Sequence, residues 1–142
     1  MVSDEVLNSL TTRVVTKKEA VRRQIEVAIR IFYEGEYESA ITLACAAEGQ
    51  MEGTEHPHLF TVLNERMPKS FATPKQWATF LNETRDWLKH PTFHLEESRG
   101  IAEFEAWVML VRAVTKYYAV FLEENDIMSD FEEWGKVRGL IT

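Results

Sequence analysis

The sequence predicts an all-α protein: an up-and-down bundle of four main helices with short extra helices. Three observations carry this. Apolar residues recur at three- and four-residue spacing, cap signals open the periodic stretches, and no stretch alternates as a strand would. The chain has 142 residues, 45% of them apolar, which suits one domain with a real core. No repeat, low-complexity tract or linker divides it. The expected organisation is a flexible N-terminal arm over residues 1–15 and a single helical domain over 16–142.

The arm has weak periodicity, with at most a helical turn near residues 5–10. Thr16-Lys17-Lys18-Glu19 then reads as a capping box, in which a hydroxyl and a carboxylate satisfy each other's amides. Val21, Ile25, Ala28, Ile29 and Phe32 follow as a one-face stripe, and Gly35 is placed to end the helix. A second helix is expected over 37–51, with Ala40, Ile41, Leu43, Ala44, Ala47 and Met51 inward and Gly53 as its stop. The small residues Ala44, Ala46 and Ala47 would let another helix approach closely. Glu48 lies near this apolar stripe and needs a partner, for which an arginine from another helix is the natural candidate.

A short helix is expected over 59–67, ended by Met67-Pro68. Thr73-Pro74-Lys75-Gln76 supplies a cap, a first-turn proline and a reciprocal Gln. Trp77, Phe80, Leu81, Thr84 and Leu88 give the inward stripe of that helix, which stops at His90-Pro91. The longest helix is expected over 101–124, with Phe104, Trp107, Val108, Val111, Val114, Tyr118, Phe121 and Leu122 on its apolar face. Ser129-Asp130-Phe131-Glu132 reads as a further capping box. It would open a last helix bearing Phe131, Trp134 and Val137 and closed by Gly139.

Charge limits the function. There are 16 Lys+Arg against 23 Asp+Glu, a net charge of −7. Duplex DNA binding needs a broad basic face, so it is not expected. The stretch from Arg13 to Arg30 is locally basic; a solvated helix face is the simplest reading, and phosphate or an acidic partner the alternative. Cys45 is the only cysteine, so no internal disulfide can form, and it is expected to be a small buried residue. No apolar run spans a bilayer and the N-terminus lacks a leader pattern, so a cytoplasmic protein is expected.

The chemistry concentrates in Arg85-Asp86-Trp87-Leu88-Lys89-His90-Pro91. Five residues of unbroken helix would put Arg85 and His90 about 140° apart. Pro91, however, disfavours helical dihedrals at His90, which can then leave the helix and turn toward the arginine. The partial negative charge of a helix C-terminus favours imidazolium, which suits His90 to proton transfer. Arg85 offers a fork of donors to phosphate oxygens. Such a pair can cleave RNA without a metal: the histidine moves a proton, and the arginine holds charge developing at phosphorus. The simpler reading is that Arg85 pairs with Glu48 or Asp86 and His90 only caps a helix.

Arg85-Asp86 followed by three residues and His90 resembles the Arg-polar-x3-His motif of the HEPN superfamily. The similarity extends over residues 17 to 124, through Glu38-Ser39-Ala40-Ile41-Thr42-Leu43-Ala44 and the run from Leu81 to His90, toward a HEPN-like bacterial group. That group has Asn after the arginine where this chain has Asp86. The resemblance implies a helical bundle, with the motif near the end of a core helix. It implies a homodimer in which two motifs meet as a metal-independent RNase site on an RNA substrate. Arg85 would be the phosphate-binding cation, His90 the proton-transfer group and Asp86 the polar orienter. A toxin–antitoxin setting would fit such an activity. The alternative is a non-catalytic helical module binding a protein partner or a nucleotide.

No cofactor is expected, because the glycines are scattered and form no phosphate loop. No metal is expected either. His90 and His94 have helical pair spacing, but Pro91 lies between them, and His56 and His58 flank a proline. Trp77, Phe80, Phe104, Trp107, Tyr117, Tyr118 and Phe121 read as core or interface before they read as a ligand pocket.

Overall fold

The computed structural model describes residues 1–53, 67–91 and 97–140. The helix expected over 59–67 lies largely outside those residues, as do His56, His58 and His94. The described residues form six helices and no strand. They are α1 (Asp4–Ser9), α2 (Lys17–Tyr33), α3 (Tyr37–Gly49), α4 (Pro74–Lys89), α5 (Glu103–Phe121) and α6 (Asp126–Val137).

Four of these helices start where a side chain takes up a first-turn amide. Ser3 accepts from the amide of Val6, Thr16 from Glu19 at 3.1 Å, Thr73 from Gln76 at 3.2 Å and Asn125 from Met128 at 3.0 Å. The last of these corrects the expected start of α6. The helix opens at Asp126 and not at the Ser129 box, because Asn125 stands earlier and its carboxamide already caps the turn. Two helices end alike. The amide of Glu36 reaches the Ile31 oxygen and that of Gly35 the Phe32 oxygen, with Gly35 at φ 83°. Leu140 and Gly139 repeat the pattern on Gly135 and Lys136, with Gly139 at φ 72°.

The expected stripe of α2 is buried throughout: Val21, Ile25, Ala28, Ile29 and Phe32. It packs on α3 through Ala40, Ile41, Ala44 and Ala47, of which the three alanines permit the close approach, and both helices rest on α5. At one end Phe32 meets Phe131 and Trp134 of α6 edge-on, at centroid distances of 5.6 and 5.1 Å. The arm is exposed along its length, and α1 buries nothing.

The inward face of α5 differs from expectation at its C-terminal end. Tyr118 is 55% exposed and Leu122 80% exposed, whereas Tyr117 is buried. The helix stops at Phe121, and Leu122 caps it in the left-handed region at φ 54°, so Leu122 leaves the stripe; Tyr118, still inside the helix, faces solvent. Tyr117 instead donates its hydroxyl to Glu123, whose carboxylate also pairs with Lys18 at 2.6 Å. Val137, expected inward on α6, is likewise exposed.

Gly135 lies inside α6 for a steric reason. A Cβ there would sit 2.9 Å from Cζ2 of Trp107, a ring with no exposed surface. Overpacking of this kind costs about 1–3 kcal/mol, against a helix-propensity gain of about 1 kcal/mol for alanine over glycine. Gly135→Ala is therefore expected to lower the denaturant midpoint, by about 1 kcal/mol in stability. An unchanged or raised midpoint would show that Trp107 yields freely.

Glu105 is a buried acid on the same helix, 1% exposed. Neither carboxylate oxygen finds a hydrogen bond of good geometry among the described residues. Burial pushes its carboxyl above the ordinary range, while the Thr84 hydroxyl, the Ala102 backbone and the Arg99 guanidinium pull the other way. A raised folded-state pKa means that the folded chain holds this proton more tightly than the unfolded chain does. The stability it gives is complete below the unfolded carboxyl value and is lost as pH rises through the folded one. Glu105→Gln keeps the neutral form at every pH. The variant should therefore gain on the parent as pH rises above the ordinary carboxyl range, as read from paired denaturation curves.

Candidate functional site

Pro74 at the first turn and the Thr73 cap fix where α4 begins, and Trp77, Leu81 and Thr84 fix which face it buries. Directly after Thr84, Arg85 and Asp86 emerge half-buried beside that stripe and touch. The Arg85 guanidinium donates through Nε and Nη2 to Oδ1 of Asp86, each at 3.3 Å. The helix closes at His90, whose amide still donates to the Asp86 oxygen at 2.9 Å while its own backbone is extended, at φ −121° and ψ 126°. The departure from the helix expected before Pro91 is thus present, and His90 and Lys89 are exposed at the helix end.

Three helix faces converge beside Arg85. Arg85, Leu88 and Lys89 come from α4; Ile41, Thr42, Cys45 and Ala46 from α3; Met109, Arg112 and Lys116 from α5. In each set, residues or adjacent pairs recur three or four positions apart, one face of a helix. Together with Glu48, Gly49 and Gln50 they line a groove of about 610 Å³, within the usual range for small ligands. His90 is not among the residues lining it.

The groove has an electrostatic plan. Arg112 Nε donates to Glu48 Oε1 at 2.8 Å, with both side chains largely buried. This is the arginine expected for Glu48, and it comes from α5. Lys116 is 2% exposed, and its Nζ donates to the backbone oxygen of Glu48 at 3.0 Å. Cys45 is half-buried in the groove wall and not, as expected, fully within the core. Burial, helped by the Glu48 carboxylate, pushes its thiol up to about 11, against the pull of Arg85, Arg112 and Lys89. It is therefore a weak nucleophile.

Arg112 and Lys116 were not singled out from the sequence. The signal was present, since they are the only charged residues between 106 and 122. Cations on an otherwise apolar, central helix must find counter-charges or line a cavity. Arg99 was missed as well. It sits beside α4, donating to the Thr84 hydroxyl at 3.0 Å, with Glu83 at 3.8 Å and the Phe80 ring 5.7 Å from its guanidinium carbon.

Among the described residues no cluster of three or more His, Cys, Asp or Glu could hold a metal ion, and no helix is long and apolar enough to cross a membrane. Comparison with family models, with curated proteins and with solved structures returns no match. The functional reading therefore rests on the residues themselves.

Proposed function

We propose that the chain is a HEPN-like, metal-independent endoribonuclease acting as a homodimer. The observation that carries this reading is the break at His90. The backbone turns out of α4 one residue before Pro91, leaving an exposed imidazole at the end of the helix whose last turns carry Arg85 and Asp86. Arg85 would grip a phosphodiester, with Asp86 holding the guanidinium in place. The 2′-oxygen of the RNA would bond to phosphorus as the bond to the 5′-oxygen breaks. One imidazole would take the 2′-hydroxyl proton, and that of the second protomer would return one to the leaving 5′-oxygen. The products are a 2′,3′-cyclic phosphate and a 5′-hydroxyl.

Purified protein is expected to cleave single-stranded RNA in excess EDTA, leaving those two termini, and to sediment as a dimer under the same conditions. A requirement for divalent metal, or 3′-hydroxyl termini, would overturn the reading. A non-catalytic binding module is the second reading. It is favoured by the Arg85–Asp86 contact and by the groove, which Arg85 enters and His90 does not. It expects no turnover at any RNA concentration.

A further inference from the structure

The groove contains more positive charge than its own residues neutralise. Arg85, Lys89, Arg112 and Lys116 line it, with Glu48 as the one carboxylate among the lining residues, in a chain whose net charge is −7. Glu48 is engaged by Arg112, and Asp86 answers Arg85 from outside the groove. Lys116 is the unusual member. It is almost wholly buried, yet its ammonium meets a neutral backbone oxygen, not a carboxylate, among the described residues. Capping the end of α3 occupies one of its three donors. A buried ammonium with donors to spare, in the wall of a cavity, is costly unless an anion completes it.

Apart from Thr42 and Gln50, the rest of the groove is apolar. Ile41 and Met109 are buried against it, and Leu88, Cys45 and Ala46 complete the wall. Lys89 stands exposed at the opposite, α4 side. An inorganic ion would satisfy Lys116 and leave that wall wet. A wholly apolar ligand would leave the ammonium unanswered. We propose that this groove binds an organic phosphate monoester, with its phosphate at Lys116, Arg112 and Arg85 and its apolar body over Ile41 and Met109. A dianionic head matches the surplus of positive charge better than a carboxylate does. A free small molecule and the phosphorylated end of an RNA present the same head. The inference shares Arg85 with the proposed nuclease but does not need His90.

The test uses calorimetry with 1-naphthyl phosphate, inorganic phosphate and 1-naphthol on the full chain. Naphthyl phosphate should bind saturably, at least about tenfold tighter than either fragment, and should slow iodoacetamide alkylation of Cys45. Lys116→Met, close in volume, should weaken it at least about tenfold, and His90→Ala should leave it unchanged. Loss of RNA cleavage in His90→Ala with binding intact separates this site from the nuclease reading. A 5′-phosphorylated oligoribonucleotide that protects Cys45 when its 5′-hydroxyl twin does not would assign the head to an RNA end. Protection by naphthyl phosphate alone would assign it to a free small molecule. If Lys116→Met does not fold, Arg85→Gln and Cys45 protection in the parent decide. Absence of saturable binding overturns the proposal, as does naphthol binding as tightly as its phosphate, or a folded Lys116→Met of parental affinity.

Discussion

His90→Ala is expected to slow RNA cleavage by about 10²–10⁴-fold, the usual contribution of a positioned general acid–base group. It should do so without a stability cost. The side chain is exposed, and the residue is held in place through its backbone amide on Asp86, a bond that alanine keeps. Surface changes of this kind fall within about 0.5 kcal/mol. The extended dihedrals at residue 90 are ordinary for alanine and are favoured by the following proline in either sequence. His90→Gln sharpens the result, because a carboxamide hydrogen-bonds but does not exchange a proton near neutrality. Both variants should cleave at least about 10²-fold more slowly in EDTA while melting like the parent. Cleavage at the parental rate in either would remove His90 from the chemistry, even if the protein still bound RNA. Arg85→Lys should fail differently: charge persists, but the planar fork that meets phosphate and Asp86 together is lost.

What could be read in the sequence follows the reach of each signal. Caps and stripes are local, so Thr16, Thr73 and the buried face of α2 are legible from residues three and four apart. The same logic misplaced the start of α6, where two capping signals competed and the earlier Asn125 prevailed through its bond to the Met128 amide. It also misjudged Tyr118 and Leu122. A stripe says nothing of where a helix stops, and Leu122 takes a left-handed cap that no periodicity announces. The motif itself was visible, including the break before Pro91. The groove was not, because it is tertiary: faces of α3, α4 and α5 that are 20 to 75 residues apart along the chain meet only once the bundle closes. That Glu48 needed an arginine was legible. That the arginine is Arg112, 64 residues away, was not.

Trp77→Ala is expected to cost about 3–5 kcal/mol, a large share of the 5–15 kcal/mol that holds a domain of this size. The ring is 1% exposed and stands in a run of aromatic contacts. Phe71 lies 5.0 Å from it, Phe80 5.9 Å and Phe104 5.8 Å, and Phe104 in turn stacks 5.9 Å from Trp107, which abuts Gly135 of α6. Through this run α4 is joined to α5, and α5 to α6. Each contact adds about 0.5–1.5 kcal/mol beyond the area it buries. The consequence is functional, because α4 carries Arg85 and Lys89 and leads into His90, and among the described residues its other anchors are its packing on α3, the Arg99 contacts and Thr84 beside Glu105. Deleting the ring should lower the melting temperature by on the order of 10 °C. Amide exchange should accelerate first in α4, with cleavage and groove binding declining together while α2 and α3 stay protected. Trp77→Phe is the informative control. The indole N–H has no hydrogen-bond partner among the described residues, so phenylalanine gives up surface but no polar contact. It should recover most of the loss. If Trp77→Ala instead melted all helices at once, the three faces of the groove would belong to one cooperative unit, and α4 could not open alone to admit a ligand.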